Sequence, residues 1–569
     1  MTAQPLCVRE DTLVVLSRYW HTTRYLKPVQ LYRRVWFRLR RPTPDLRPAP
    51  ARRAVALAWV LPARRRPSLV AAGRFCFLSQ THELQSGSWD DAALPKLWRY
   101  NLHYFDDLNA QDARSRTALH AALLLQWARE NPPAAGSGWE PYPLSLRIVN
   151  WIKWALAGNV LPAECVHSLA VQVRHLVRRL EFHLLGNHLF VNAKALVFAG
   201  LFFEGEEAGK WLETGMSILA RQVPEQILED GGQFERSTMY HALALEDLLD
   251  LINLVRAFPD ALPSARRPIT SAWPALAGRM GEWLEAMCHP DGEIALFNDA
   301  APGIAPVPAE LRRYARDLGV SPNPGTPVAW YCGFKHLADS GYVRATAPDA
   351  VLIMDVAPVG PDYLTAHAHA DTLSFELSLF GQRALVNGGT SRYGLGPERE
   401  AERGTPAHNT VTVNGQDSSE VWSGFRVARR AKPFDLRVAL AAEGAAGTGG
   451  VRVTCAHDGY RRLPGRPVHR REWVLQPGML RVVDTVEGRY VSAVARYLIH
   501  PQMVCEMAAD ASDGNLRMPG GQLVRWQVWG GQVSVEPGAY HPGFGVELKA
   551  HCLCVDFSQT GNARIEFAW

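Results

Sequence analysis

The chain has 569 residues, of which 47% are hydrophobic and 21% charged, with a formal net charge of +5. It is too apolar to be intrinsically disordered and long enough for several hydrophobic cores, so we expect a multi-domain globular protein. The nine cysteines are scattered along the chain, which argues against a disulfide framework and against a cysteine zinc site.

Targeting signals are absent from the sequence pattern. No apolar run approaches the about 20 residues that cross a bilayer. The start of the chain, Met1 to Trp20, lacks the basic, apolar and small-residue order of a secretory signal. The sequence therefore predicts no transmembrane span and a cytoplasmic protein, or a periplasmic one if the chain is a mature form.

The first 70 residues are strongly basic, with fifteen Arg and Lys against three acidic residues. Their pattern predicts an amphipathic helix from about Arg18 to Arg40. The arginines are either solvated on that helix or form a surface for nucleic acid, anionic lipid or an acidic polysaccharide. Because no helix-turn-helix, zinc-finger or RNP signature accompanies them, we expect no nucleic-acid partner. We interpret residues 1–90 as a basic, partly helical N-terminal segment.

From about Leu94 to Leu318, apolar residues recur mostly at intervals of three and four, the period of amphipathic helices. Short loops such as Asn131-Pro132-Pro133 separate these stretches, as expected for antiparallel neighbouring helices. The sequence therefore predicts an all-α array of helical hairpins over residues 91–335. The predicted helices include Ala118–Ala128, Leu144–Leu156, Val166–Leu185, His188–Phe203, Trp211–Val223, Tyr240–Phe258 and Trp273–Met287.

A Pro/Gly break at Pro322 to Pro327 ends the helical pattern, and short alternating apolar runs follow after Gly341. Turn signals such as Asn414-Gly415 are spaced like those of an antiparallel sandwich. We predict an antiparallel β-sandwich over residues 336–569, and a multi-domain α+β fold class for the chain. The predicted strands include Val351–Val356, Val411–Val413, Trp473–Leu475, Leu480–Asp484 and Ala493–Ile499.

Four polar clusters interrupt these patterns: Gly186-Asn187-His188, Gln233–His241, His367–Asp371 and Arg403–Thr410. A single histidine or a polar helix start is usually a cap or a hydrogen-bonded core residue. The third cluster is different, because on an extended backbone His367, His369 and Asp371 share one face. Two imidazoles and a carboxylate on one face favour a ligand, a metal or a reaction.

In chain order the clusters read Gly-Asn-His, Glu-x-Ser-x-x-Tyr-His, His-x-His-Ala-Asp-x-Leu-Ser-Phe-Glu-Leu and Arg-x-Thr-x-Ala-His-Asn-Thr-Val. This set resembles the heparinase II/III family of polysaccharide lyases, over about Tyr100 to Phe425. The resemblance implies an (α/α) toroid followed by an antiparallel β-sandwich, in agreement with the change of pattern near residue 340. It also implies β-elimination at a uronic acid, which requires a neutralised carboxylate and groups that accept and donate a proton.

The resemblance implies roles for particular residues. Tyr240 matches the catalytic tyrosine that acts as general acid and base, and His367 matches the catalytic histidine. Asn187 and His188 match the groups that neutralise the uronate carboxylate. The implied partner is an acidic polysaccharide or oligosaccharide, either glycosaminoglycan-like or alginate-like.

A structural zinc of related members corresponds here to the ligand positions His369, Asn387 and His408. Asn387 departs from the family, which often has Asp there. Because Asn is a neutral and weaker ligand, the departure lowers the expected zinc affinity or favours another divalent metal. We expect no organic cofactor.

Substrate-contacting positions are also implied. Arg147, with Trp139 and Tyr142 nearby, offers a cation and aromatic platforms for an acidic sugar, and His103 belongs to a second such segment. For both segments, packing within the helices remains the other interpretation. Two more candidates fall within the motifs themselves, Glu235 and Arg403.

Two other functions remain open. A glycoside hydrolase on the same toroid needs paired carboxylates, for which Glu235 and Asp299 are candidates. A non-catalytic glycan-binding or assembly protein of a bacterial capsule or exopolysaccharide pathway would keep the cleft without turnover. An unsaturated product that absorbs in the ultraviolet separates elimination from hydrolysis.

Overall fold

We analysed a computed structural model of the chain, which describes residues 12–85, 87–320, 333–441, 449–508 and 512–569. The Pro/Gly break at Pro322 to Pro327 and the first eleven residues of the basic segment lie outside the described residues. The seven cysteines within the described ranges are all free, as the sequence predicts. Within the same ranges, no helix is both long enough and apolar enough to cross a membrane.

Thirteen α-helices are found in the described residues, and all but the last precede the β-rich part. They are α1 Thr12–Thr23, α2 Pro28–Leu39, α3 Lys96–Tyr104, α4 Thr117–Glu130, α5 Pro141–Leu156, α6 Ala163–Val177, α7 Gly186–Phe202, α8 Glu206–Gln226, α9 Thr238–Ala257, α10 Arg267–Ser271, α11 Trp273–Ala286, α12 Pro308–Asp317 and α13 Pro397–Arg403.

The N-terminal helix predicted from Arg18 to Arg40 is wrong in one respect, because the structure has two helices there. Pro28 is the first residue of α2. A proline has no backbone N–H to donate and fixes its own φ, so it begins a helix more easily than it continues one. Similarly, α6 ends at Val177 instead of reaching Leu185, whose positive φ of 65° does not fit a helix.

The central helices pack as neighbouring pairs. Helix α7 lies between α5 and α8, and α9 packs against α7, α11 and α12. Helix α7 is buried on nearly all sides, whereas α8 exposes one face. This packing confirms the predicted array of helices in series, and it buries one continuous core of tryptophan, leucine and phenylalanine side chains.

The described residues contain 22 strands. They are β1 Leu69–Ala71, β2 Arg74–Phe77, β3 Gln80–Glu83, β4 Gly333–Leu337, β5 Tyr342–Ala347, β6 Ala350–Asp355, β7 Phe375–Leu379, β8 Gln382–Leu385, β9 Val411–Val413, β10 Val421–Trp422, β11 Arg426–Val427, β12 Pro433–Ala441, β13 Gly450–His457, β14 Val468–Gln476, β15 Met479–Glu487, β16 Ala493–Ile499, β17 Val504–Met507, β18 Asp513–Arg517, β19 Leu523–Trp529, β20 Gln532–Gly543, β21 Val546–Asp556 and β22 Asn562–Ala568.

Two large antiparallel sheets form the C-terminal sandwich. One has nine strands, in the order β20-β21-β16-β8-β7-β6-β5-β4 with β9 paired to β16. The other has eight, in the order β12-β13-β14-β15-β22-β19-β18-β17. Their inner faces share a core in which Leu352 and Phe375 of the first sheet accompany Trp473 and Trp526 of the second. The predicted antiparallel sandwich is therefore confirmed.

The histidine-rich motif adopts another conformation than predicted. Strand β7 begins only at Phe375, and the chain from His367 to Ser374 forms turns and irregular backbone. The two histidines still converge, because both bind the carboxylate of Asp299. Asp371 faces a different group, the backbone N–H of Asn298, at 3.0 Å. His367 and His369 are therefore brought together by an irregular segment and not, as predicted, by an extended strand.

Candidate active site

A cavity of about 570 Å³ lies where the helices meet the β-sandwich. Both layers contribute side chains to its wall. The helical side supplies Tyr104, Tyr142, Asn187, His188, Tyr240 and Asp247, and the β side supplies His367, Tyr393, Phe425 and Phe544. The cavity has the size of a site for a small molecule or for a few sugar units of a longer chain.

Tyr240 enters the cavity from the first turn of α9. Ser237 caps this helix, because its side-chain oxygen accepts a hydrogen bond from the Tyr240 N–H at 3.2 Å. The same hydroxyl donates to the carbonyl of Asp299 at 2.5 Å. The cap therefore fixes the start of α9 to the loop that carries Asp299.

The Tyr240 hydroxyl lies 3.0 Å from the Tyr393 hydroxyl, and its ring lies 4.0 Å from the His367 ring between centroids. Tyr240 is 8% exposed. Burial, with the neighbouring Tyr393, raises the pKa of the Tyr240 phenol well above its usual value. The phenol is therefore held in its protonated form, which is the form that a general acid needs.

Asp299 holds three side chains of the β layer. Its carboxylate lies 3.0 Å from His367 Nδ1 and 2.8 Å from His369 Nε2. Arg399 donates to both oxygens, at 2.5 and 2.7 Å. Burial alone would raise the pKa of Asp299, but Arg399 and the two imidazoles hold it well below its usual value. The resulting charge fixes the orientation of the His367 ring.

Asn187 and His188 lie in the first turn of α7, directly after two residues with positive φ, Leu185 at 65° and Gly186 at 52°. His188 Nδ1 lies 3.2 Å from a carboxylate oxygen of Glu181, and its ring lies 4.6 Å from the Tyr142 ring. Burial disfavours the charged imidazole, yet Glu181 outweighs that effect and raises the pKa of His188. The wall thus carries an imidazole whose charged form Glu181 favours, beside an amide donor.

Glu235 is not part of the cavity wall, so the structure does not support its predicted contact with substrate. Its side chain is 3% exposed and lies beside His367, with 3.8 Å between Oε2 and His367 Nε2. Burial raises the pKa of Glu235. Gln233 Nε2 donates to the other carboxylate oxygen at 3.2 Å.

Four other residues predicted to contact substrate are buried and are not part of the cavity wall. Arg147 is fully buried and lies over the Trp127 ring at 3.7 Å, with hydrogen bonds to Gln172 and to two backbone carbonyls. His103 accepts from Trp127 Nε1 at 3.0 Å, and Trp139 packs in the same cluster. Arg403 donates to the Ala368 carbonyl. Of the predicted contacts, only Tyr142 lines the cavity.

The sequence analysis did not identify a cluster of charged residues in the cavity wall, formed by two lysines and two aspartates. Lys194 Nζ lies 2.7 Å from carboxylate oxygens of both Asp247 and Asp250, and Lys153 Nζ lies 2.9 Å from Asp250. A signal was present, because Asp247 follows Tyr240 by seven residues and therefore shares its face of α9. Tyr393 and Arg399 were also missed, and their spacing from other motifs gave no signal.

Two of the three predicted metal ligands are neighbours in the β layer, and the third, Asn387, precedes Gly388, whose N–H donates to the carbonyl of Ala407 beside His408. His369 and His408 have ring centroids 5.3 Å apart, and both are 1% exposed, with Asn387 at 0%. Within the described residues, His369 Nδ1, both nitrogens of His408 and both amide atoms of Asn387 have no hydrogen-bond partner. Buried polar atoms without partners are costly, and these fit a ligand set of two imidazoles and an amide. The described residues contain no group of three His, Cys, Asp or Glu side chains placed to hold a metal ion, so the set depends on the amide of Asn387.

Comparison with solved structures defines the class of fold. A heparinase III crystal structure superposes with a TM-score of 0.63 at 19% identity, over 83% of this chain and 76% of that one. A heparan sulfate lyase mutant from Pedobacter heparinus gives 0.59 at 17%, over 87% and 81%. The fold is therefore an (α/α) toroid followed by a β-sandwich, as the resemblance implied.

Family models then place the chain more narrowly. Residues 110–317 match the heparinase II/III N-terminus, and residues 333–568 match the heparinase II/III-like C-terminal domain. The chain belongs to the heparinase II/III family.

Curated relatives align over shorter stretches of the chain than the solved structures do. A heparin-sulfate lyase of Pedobacter heparinus is 24% identical over 331 residues, which are 51% of this chain and 47% of the relative. One of Bacteroides stercoris is 26% identical over 256 residues, 42% of this chain and 37% of the relative. The chain thus aligns with less than half the length of each of these two relatives.

Proposed function

We propose that the protein is a polysaccharide lyase that cleaves a uronic-acid-containing glycan, glycosaminoglycan-like or alginate-like, by β-elimination. The observation that carries this proposal is the shared cavity. Tyr240 and His367 lie with ring centroids 4.0 Å apart in a cavity that Asn187 and His188 also line. These are the side chains that the elimination needs at one sugar.

Asn187 and His188 are proposed to bind the uronate carboxylate. The raised pKa of His188 favours its cationic form, and the Asn187 amide supplies a hydrogen-bond donor. Neutralising the carboxylate acidifies the hydrogen on the carbon alpha to it, because the carbanion that forms is delocalised into that carboxylate.

Tyr240 and His367 are proposed to move the protons. As the α-hydrogen leaves, the electron pair forms a double bond to the β-carbon, and the bond from that carbon to the glycosidic oxygen breaks. The protonated Tyr240 phenol gives its proton to the departing oxygen, so no water is consumed. The α-hydrogen passes to His367, whose Nδ1 is held by Asp299. The alternative route through Tyr240 alone requires the phenolate, which takes the α-hydrogen first and then gives that same proton to the departing oxygen.

A divalent metal, zinc or a similar ion, is proposed as a structural group held by His369, Asn387 and His408. When bound, it would link two loops of the β layer. The hydrogen bond from His369 Nε2 to Asp299 leaves Nδ1 as the free lone pair. Metal analysis of the purified protein tests this assignment, and Asn387→Asp is expected to raise zinc affinity, since it adds a charged ligand.

Hydrolysis by paired carboxylates is disfavoured by the surroundings of its candidates. Asp299 is 0% exposed and paired with Arg399, and Glu235 is 3% exposed. Both contact His367, and neither is part of the cavity wall.

The test is turnover of a panel of uronic-acid polymers, read by the ultraviolet absorbance of unsaturated products. Tyr240→Phe is expected to lower kcat by about 10²- to 10⁴-fold with glycan binding retained. His367→Gln shows which residue takes the α-hydrogen, because it spares turnover if Tyr240 acts alone. Tyr490→Phe, in the sandwich and outside the cavity wall, is the matched control. A wild-type protein that binds glycans without turnover would support an assembly role, and new reducing ends without absorbance would support hydrolysis.

A further inference from the structure

The second N-terminal helix presents an apolar stripe to solvent. In α2, Leu31, Val35 and Leu39 follow one another at intervals of four and are 52%, 59% and 78% exposed. Tyr32 and Trp36 lie beside them and are 58% and 50% exposed. We call these five residues the α2 stripe. Single exposed apolar residues are common on protein surfaces, but five on one helical face form a contiguous patch.

The opposite face of α2 is anchored to both the β-rich part and the toroid. Gln30 is 4% exposed and its Nε2 donates to the Tyr363 carbonyl at 3.2 Å. Phe37 packs on His183 with 4.2 Å between ring centroids, and the Arg33 guanidinium lies over Phe182 at 5.1 Å. The helix is therefore fixed in orientation, and its stripe faces outward.

The neighbouring helix repeats this arrangement. In α1, Leu16 and Trp20 are 60% and 65% exposed and lie on one face. The other face contacts the β layer, where Thr22 accepts from Trp422 Nε1 at 3.2 Å and Ser17 accepts from Arg429 at 2.8 Å.

The charge of this segment is entirely positive. Residues 12–41 contain eight Arg and Lys and no Asp or Glu. Arg34 and Arg38 are exposed and border the α2 stripe on one side of the helix. Arg40 follows the helix and lies over the Trp36 ring at 5.5 Å.

We propose that the α2 stripe and its flanking arginines dock the protein on the surface of an anionic phospholipid membrane. Exposed aliphatic and aromatic residues on one face, flanked by arginine, suit the boundary between headgroups and acyl chains. A helix of twelve residues rises about 18 Å and therefore lies in that boundary instead of crossing it.

The positive charge around the α2 stripe favours an anionic membrane over two other partners, a second copy of the chain and a soluble polyanion. A second copy of the chain would bring its own arginines against these, and like charges repel across an interface. A soluble polyanion would engage the arginines but would leave the α2 stripe in water. An anionic bilayer satisfies both components, because the acyl region takes the stripe and the headgroups pair with the arginines.

The test is co-sedimentation of the full chain with two kinds of vesicle, phosphatidylcholine alone and phosphatidylcholine with an equal part of phosphatidylglycerol. We expect stronger binding to the anionic vesicles, weakening with added salt. The double variant Val35→Ser with Trp36→Ser is expected to lower partitioning about tenfold or more. Arg34→Gln with Arg38→Gln is expected to lower it about tenfold and to reduce the salt dependence.

The control is Val160→Ser with Val491→Ser, at two positions that are 79% and 84% exposed, which should leave vesicle binding unchanged. Circular dichroism checks that each variant is folded. The proposal is overturned if the wild type sediments with neither vesicle, or if Val35→Ser with Trp36→Ser leaves sedimentation unchanged. It is also overturned if light scattering shows a dimer that this variant dissociates, or if dextran sulfate binds where vesicles do not. Vesicle binding does not depend on glycan turnover, so this test and that of the lyase proposal fail separately.

Discussion

Tyr393, which sequence motifs did not identify, is a hydrogen-bond partner of Tyr240. The two hydroxyl oxygens lie 3.0 Å apart. Tyr393→Phe removes this hydrogen bond while keeping the ring that packs on Phe425 and Phe544. We expect kcat to fall about two- to tenfold, the worth of one neutral hydrogen bond, with glycan binding little changed. Steady-state kinetics and equilibrium binding on the most active substrate measure both. An unchanged kcat would mean that Tyr393 does not orient the phenol.

Arg147 is a core residue in the structure, so its replacement is expected to change stability and not catalysis. Burial lowers the pKa of Arg147 well below its usual value, and its hydrogen bonds go to Gln172 and to backbone carbonyls. Arg147→Met should lower the free energy of unfolding by about 1–3 kcal/mol, since it leaves these acceptors unpaired. Urea unfolding measures this loss. KM should stay the same. A raised KM in a folded variant would indicate that Arg147 contacts substrate after all.

Motifs identified the residues that are chemically unusual in their surroundings, such as Tyr240 and His367. They could not find Arg399, which reaches Asp299 across 100 positions of sequence, because such pairing exists only after folding. They also assigned Arg147 and His103 to the cleft, because a charged residue near aromatic ones looks the same in sequence whether it binds a sugar or stacks in a core.

At the scale of elements, the start of α7 decides where Asn187 and His188 point. Gly186 has a φ of 52°, and a Cβ at this position would lie 2.3 Å from Leu364 Cδ2. Gly186→Ala should therefore strain the turn and lower stability by about 1–3 kcal/mol. It should also lower kcat/KM, because the two side chains would move. Thermal unfolding and kinetics provide the readouts.

Leu364→Ala is the companion variant for this turn. It removes the clash but leaves the positive φ, so the double variant should recover only part of the loss. Full recovery would show that the backbone conformation at Gly186 costs nothing.

Element types were predictable because hydrophobic period differs between helix and strand, and the helices and strands named from the sequence largely coincide with those of the structure. The predicted helix boundaries were wrong where a single residue or turn interrupts the helical period of apolar residues. Pro28 divides the N-terminal helix, and the turn before Gly186 leaves α6 ending at Val177. The array of helices was readable, but closure of a toroid follows from tertiary packing and came from the family resemblance.

At the scale of the whole molecule, Asp299 joins the two layers. It lies in a loop between α11 and α12, and its three ionic partners lie in the β-rich part. Asp299→Asn leaves the buried Arg399 without its carboxylate, so the free energy of unfolding should fall by about 3–5 kcal/mol. Urea unfolding measures this. Adding Arg399→Met should recover part of the loss, because the unpaired charge is then gone, and a further additive loss would argue against direct pairing.

The position of this ion pair constrains how a polymer reaches the cavity. Asp299 and Arg399 are 0% exposed, and their pairing joins the helical part to the β-rich part next to His367. Moving the two parts away from each other would pull a bidentate pair out of a dry interior, at a cost far above thermal energy. Under the proposed function, the glycan therefore enters and leaves a cavity of nearly constant width, and adjustment to different sugars falls to side chains along its rim.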